Sequence, residues 1–87
     1  MFSYEVLNRV SKERLRQEAK WGMQNHSPEK WLRILLEEAG EAAKEAQNIE
    51  EMKELSKQFY IEEMVQVAAV AVAAIESFER QNKCSPS

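Results

Sequence analysis

Two pairs of oxygen-bearing side chains stand apart by their spacing. Glu38 and Glu41 are three residues apart, and so are Glu63 and Gln66. Residues three apart on a helix are surface neighbours. Glu38 and Glu41 border an apolar face made by Trp31, Leu32, Ile34, Leu35, Ala39, Ala42 and Ala46, and Glu37 lies further out. Glu63 and Gln66 fall inside a second stripe, with Met52, Leu55, Phe59, Val70 and Ala73, within about 80° of helical arc. An unpaired carboxylate is costly to bury, and two adjacent ones repel. Lys or Arg partners would offset that charge, but residues 64–75 supply none. A hard divalent cation such as Mg²⁺ would do so with oxygen ligands, completing its shell with water and phosphate oxygens. A di-iron site needs Glu-x-x-His, and the single histidine, His26, is out of that register. The residues alone leave ion pairing and metal binding both open.

The elements that must carry these groups are helices. The chain has 87 residues with two Gly, two Pro, no Thr and no Asp, so all fifteen acids are glutamate. This composition favours helix and disfavours strand. A first helix is expected over residues 3–20, with Val6, Leu7, Val10 and Leu15 inward. Ser27-Pro28-Glu29 reads as a helix start: a capping hydroxyl, a proline that loses no bond, and an acid at the positive dipole end. The second helix then covers residues 28–47. Asn48 would end it and cap a third helix beginning near Ile49, with Glu51 completing a capping box. That third helix meets no breaker before Pro86, and residues 83–87 are expected to fray. From Met64 to Ile75 every residue but Gln66 is apolar, on all faces, over roughly 18 Å, too short for a bilayer. Three helices of one chain can hardly cover it. The expected fold is all-α: a single domain over 1–87 whose three helices complete a four-helix core by homo-oligomerisation, as a homodimer or homotetramer.

Charge narrows the partners. The net charge of −3 gives no electrostatic footprint for nucleic acid or an anionic membrane, so neither is expected. The lone Cys84 and the absence of a recognisable leader point to a reducing, cytoplasmic setting.

Taken in order, Leu36-Glu37-Glu38-Ala39-Gly40-Glu41-Ala42-Ala43 and Ile61-Glu62-Glu63-Met64-Val65-Gln66-Val67-Ala68 resemble the all-α nucleoside triphosphate pyrophosphatase superfamily, specifically its small phage-type MazG-like members. Those proteins carry Glu-Glu-x-x-Glu on one helix and Glu-x-x-Asp on another. Lys20-Trp21-Gly22-Met23-Gln24-Asn25-His26-Ser27-Pro28 is similar to their substrate-side loop. The likeness spans roughly residues 10 to 80. It implies Mg²⁺-dependent hydrolysis of a nucleoside triphosphate to monophosphate and pyrophosphate, with Mn²⁺ as a substitute ion. Glu38, Glu41 and Glu63 match metal-ligand positions, and Glu37 matches the leading acid. Glu37 or Glu41 would orient the attacking water or accept its proton. Gln66 stands where the motif has Asp; it keeps a coordinating oxygen but loses the charge and cannot act as a base.

On the same resemblance, Trp21, Gln24, Asn25 and His26 would stack on and hydrogen-bond the base. Lys20, Lys44 and Lys57 are candidates for the phosphates. The plainer alternatives are a loop anchor for Trp21, a turn residue for His26 and a core position for Trp31. Glu13, Glu18, Glu45, Glu50, Glu54, Glu76 and Glu79 read as solvated faces. A non-catalytic relative that binds nucleotide or protein is the competing function, because of Gln66.

Overall fold

Helix α1 is Tyr4–Trp21, α2 is Pro28–Glu50 and α3 is Glu54–Gln81, in a computed structural model that describes residues 4–50 and 54–82. The described residues contain no strand. Gly22 ends α1 with a positive φ of 74°, a conformation that suits a residue without a Cβ, and its amide donates to the Glu18 carbonyl at 2.8 Å. Ser27 starts α2 as its spacing predicts: Oγ accepts from the Lys30 amide at 3.2 Å, and its carbonyl from the Trp31 amide at 3.0 Å.

Helix α3 lies in the middle. It packs against both α2 and α1, whereas α1 and α2 make no backbone contact with each other among the described residues. The core is small and sits between α2 and α3, where Trp31, Val70 and Ala73 are buried and Ile34, Leu35 and Ala74 pack against them. Ala69 is fully enclosed, so its small side chain sets how closely a neighbouring helix can approach. Helix α1 is tied to α3 by Arg14, whose Nη2 lies 2.7 Å from Glu76 and 2.9 Å from Glu18.

Three expectations are corrected. Asn48 does not end the second helix, which runs on to Glu50. Asn is only mildly unfavourable inside a helix, and Asn48 and Ile49 are half-buried there. The capping partner Glu51, like Met52, lies outside the described residues, as do Cys84, Pro86 and the rest of 83–87. Second, α1 buries only Val10; Val6, Leu7 and Leu15 are exposed, because α3 is the one helix against which α1 rests. Third, Leu32 and Phe59 of the two apolar stripes face outward. The all-round apolar segment is covered on one side, leaving Met64, Val72 and Ile75 exposed. The radius of gyration of 15.0 Å exceeds the roughly 12 Å of a compact globule of this length.

No helix among the described residues is long and apolar enough to cross a membrane.

Candidate functional site

The α2–α3 packing brings Glu63 under Glu38. Glu63 is half-buried, and its Oε2 is enclosed with no hydrogen-bond partner. Its pKa is raised above the ordinary value of 4.5, first by burial, then by the charge of Glu38 and a hydrogen bond between the two carboxyl groups, then by Glu41 and Glu45. Glu45 joins the cluster against the sequence reading, which left it on a solvated face; it is half-buried, one helical turn beyond Glu41.

Above this pair lies a cleft of about 400 Å³. Glu38 and Gln66 line its floor. The loop after α1 forms one end, with Trp21, Gly22, Gln24 and His26 facing in. Residues Glu13, Arg14, Arg16 and Gln17 of α1 form a wall, and Lys30 and Arg80 complete the rim. Acceptors at the floor, cations at the walls and aromatic groups at one end thus share a single space.

The loop is held by the end of α3. Arg80 donates to Asn25 Oδ1 at 3.0 and 3.1 Å and to the Gln24 carbonyl at 3.2 Å. Gln81 Nε2 donates to the His26 carbonyl at 2.9 Å and to the Oγ of fully buried Ser77 at 2.8 Å. His26 leans on Trp31, ring centroids 4.9 Å apart at 54°, so it touches both the core and the cleft. Trp21 is half exposed, with Lys20 Nζ 4.9 Å from its ring centre.

Of the residues picked out by sequence, Glu38, Gln66, Trp21, Gln24 and His26 line one cleft, and Glu63 meets Glu38. Glu41 is exposed and near enough to Glu63 to raise its pKa. Asn25 has its oxygen taken by Arg80. Glu37 is exposed and lines a neighbouring depression beside Ser27, Lys30 and Arg33, not the cleft that Glu38 and Gln66 line. Lys20 and Lys44 do not line the cleft, and Lys57 lines a neighbouring one. The cations that do line it, Arg14, Arg16, Lys30 and Arg80, drew no attention in the sequence. Arg14, Arg16 and Arg80 each have an acid three or four residues away, at Glu18, Glu13 and Glu76, and so look like members of ordinary surface pairs. Glu13 was read as solvated, yet its side chain is only 13% exposed, and hydrogen bonding and charge from Arg16 hold its pKa below the ordinary value.

The oxygen-only donor set suits a hard cation better than a soft one. Among the described residues no group of three or more His, Cys, Asp or Glu side chains is arranged to hold a metal ion. Glu38 and Glu63 meet, whereas Glu41 acts on Glu63 through its charge. No family model matches the chain, and neither a curated protein nor a solved structure matches it.

Proposed function

We propose that this chain is a Mg²⁺-dependent nucleoside triphosphate pyrophosphohydrolase that releases a nucleoside monophosphate and pyrophosphate, keeping the nucleotide pool clean. One observation carries the reading: Glu63 has an enclosed oxygen without a partner beside Glu38, and Glu38 in turn lines a cleft that Arg14, Arg16, Lys30 and Arg80 also line. Glu38, Glu63 and the Gln66 oxygen would hold the ion, with Glu41 as a further carboxylate. When bound, Mg²⁺ would neutralise phosphate charge and acidify a water. Glu41 is the acid best suited to take that water's proton, since Glu37 lines a neighbouring depression. Trp21 offers its face to a base, and Gln24 and His26 offer hydrogen bonds at the same end.

The active species in this reading is a homo-oligomer in the cytoplasm. The accessible surface of 6866 Å² exceeds the roughly 5,300 Å² of a compact monomer of this mass. An apolar groove along α2 and α3, lined by Leu32, Leu35, Ile75 and Phe78, offers a second copy the surface with which to complete a four-helix core.

Pyrophosphate release is to be measured over a panel of standard and modified nucleoside triphosphates, with Mg²⁺ or Mn²⁺. At least one substrate turns over, and Glu38→Gln and Glu63→Gln each abolish turnover while the helical circular dichroism persists. Unchanged turnover in both variants sinks the assignment. Gln66 supports a second reading, a non-catalytic nucleotide binder, because it removes one anionic ligand. Calorimetric binding without product release in any divalent metal, with turnover appearing in Gln66→Asp, would favour that reading.

A further inference from the structure

A second cleft, of about 710 Å³, opens between α1 and the first half of α3. Glu13, Arg16 and Gln66 line both clefts, so the two spaces are neighbours and the Glu13–Arg16 pair stands between them. Arg9 and Lys57 bring further positive charge to the second space, against Glu13 and Glu62.

The arginines around these two neighbouring clefts are not equivalent. Arg14 bridges α1 to Glu76 of α3, and Arg80 pins the loop, so both are committed to holding elements together. Arg16 makes a two-pronged contact with Glu13 of its own helix, Nε to Oε1 at 2.8 Å and Nη2 to Oε2 at 2.6 Å, and half of its side chain is exposed. Among the described residues its hydrogen bonds and ion pair stay within α1. Glu13 would keep the Gln17 amide, 3.3 Å away. A guanidinium already presented as a fork to two oxygens suits a phosphate equally well, and the Arg16 half of the pair is open to solvent.

We propose that Arg16, with Arg9, binds the two distal phosphates of the nucleoside triphosphate in the second cleft, Arg16 leaving Glu13 to do so. This rests on the pyrophosphohydrolase reading and gives it a direction. The base lies at the Trp21–His26 end, the phosphorus under attack lies over Glu38 and Gln66, and the leaving pyrophosphate lies along α1 and α3.

Titration of the whole protein with inorganic pyrophosphate, and separately with a nucleoside monophosphate, both in Mg²⁺, tests the direction. Arg16→Gln raises the pyrophosphate Kd roughly tenfold and leaves the monophosphate Kd within about twofold, as loss of a charged two-pronged contact predicts. Arg16→Lys, which keeps the charge without the fork, falls between. Trp21→Ala shows the reverse pattern. Arg33→Gln, which removes an equal charge from the Glu29 pair outside both clefts, changes neither Kd. Pyrophosphate binding that is absent in the parent, unchanged in both Arg16→Gln and Arg9→Gln, or equally weakened by Arg33→Gln overturns the proposal. A parent protein that hydrolyses no nucleotide yet binds pyrophosphate through Arg16 refutes the catalytic reading and leaves the phosphate subsite standing.

Discussion

Glu38 of α2 and Glu63 of α3 bring their carboxyl groups within hydrogen-bonding reach, and the pKa of Glu63 is raised. Burial penalises the charged form, and Glu38, Glu41 and Glu45 add repulsion of the same sign. A raised folded-state pKa means that this group's contribution is fully present below the unfolded value, 4.5, and is lost as pH rises through the folded value. In chelator, Glu63→Gln therefore melts higher than the parent at neutral pH, and the difference closes as pH falls toward 4.5. Thermal melts of both proteins at several pH values test this. A gap that does not change with pH would refute it. Glu13 works in the opposite direction: its lowered pKa gives stability present above 4.5 and lost as pH falls below it.

Arg80 fixes the loop from a distance of 55 residues in sequence. Arg80→Ala removes its bonds to Asn25 and the Gln24 carbonyl and costs about 1–2 kcal/mol. Hydrogen exchange at residues 22–26 rises roughly tenfold while the middle of α2 is unaffected, because the loop opens locally. Uniform acceleration along the chain would mean that Arg80 supports the whole fold instead.

Trp31 is the largest side chain of the core, yet its indole Nε1 is enclosed with no hydrogen-bond partner. Trp31→Phe keeps the ring packing and discards an unsatisfied donor, so urea unfolding shows a loss below about 1.5 kcal/mol. Trp31→Ala opens a cavity and costs about 3–5 kcal/mol, enough to unfold a small domain. Equal losses in the two variants would show that the indole nitrogen matters.

Phe78 is half exposed in the groove between α2 and α3, whereas Leu15 is still more exposed but lies on α1. If the proposed homo-oligomer forms through this groove, Phe78→Asp lowers the mass measured by light scattering to that of a single chain, and Leu15→Asp leaves the mass of the parent unchanged. The reverse result would move the interface to α1.

The three helices were legible because they depend on local signals. Ser27-Pro28 starts α2, Gly22 closes α1, and Trp31 falls on the inward stripe. The false stop at Asn48 came from giving a weak helix former the weight of a breaker. Glu38 and Glu63 were legible as acids on apolar faces, a conflict visible in the periodicity. Arg80 and Asn25 were not, since nothing local marks a bond between residues 55 apart. Glu13 and Arg16 misled for another reason. An i, i+3 pair looks the same on an open face and between two neighbouring clefts, and which one it occupies depends on how α1 meets α3.

Among the described residues, α1 and α2 each pack their backbones against α3 and make no such contact with each other. A substitution that loosens the Arg14–Glu76 tie therefore bears first on the Glu13–Arg16 wall, while Glu38 and Glu63 meet in the α2–α3 pair. The α1 wall and the acids between α2 and α3 hang from one shared helix by two different seams.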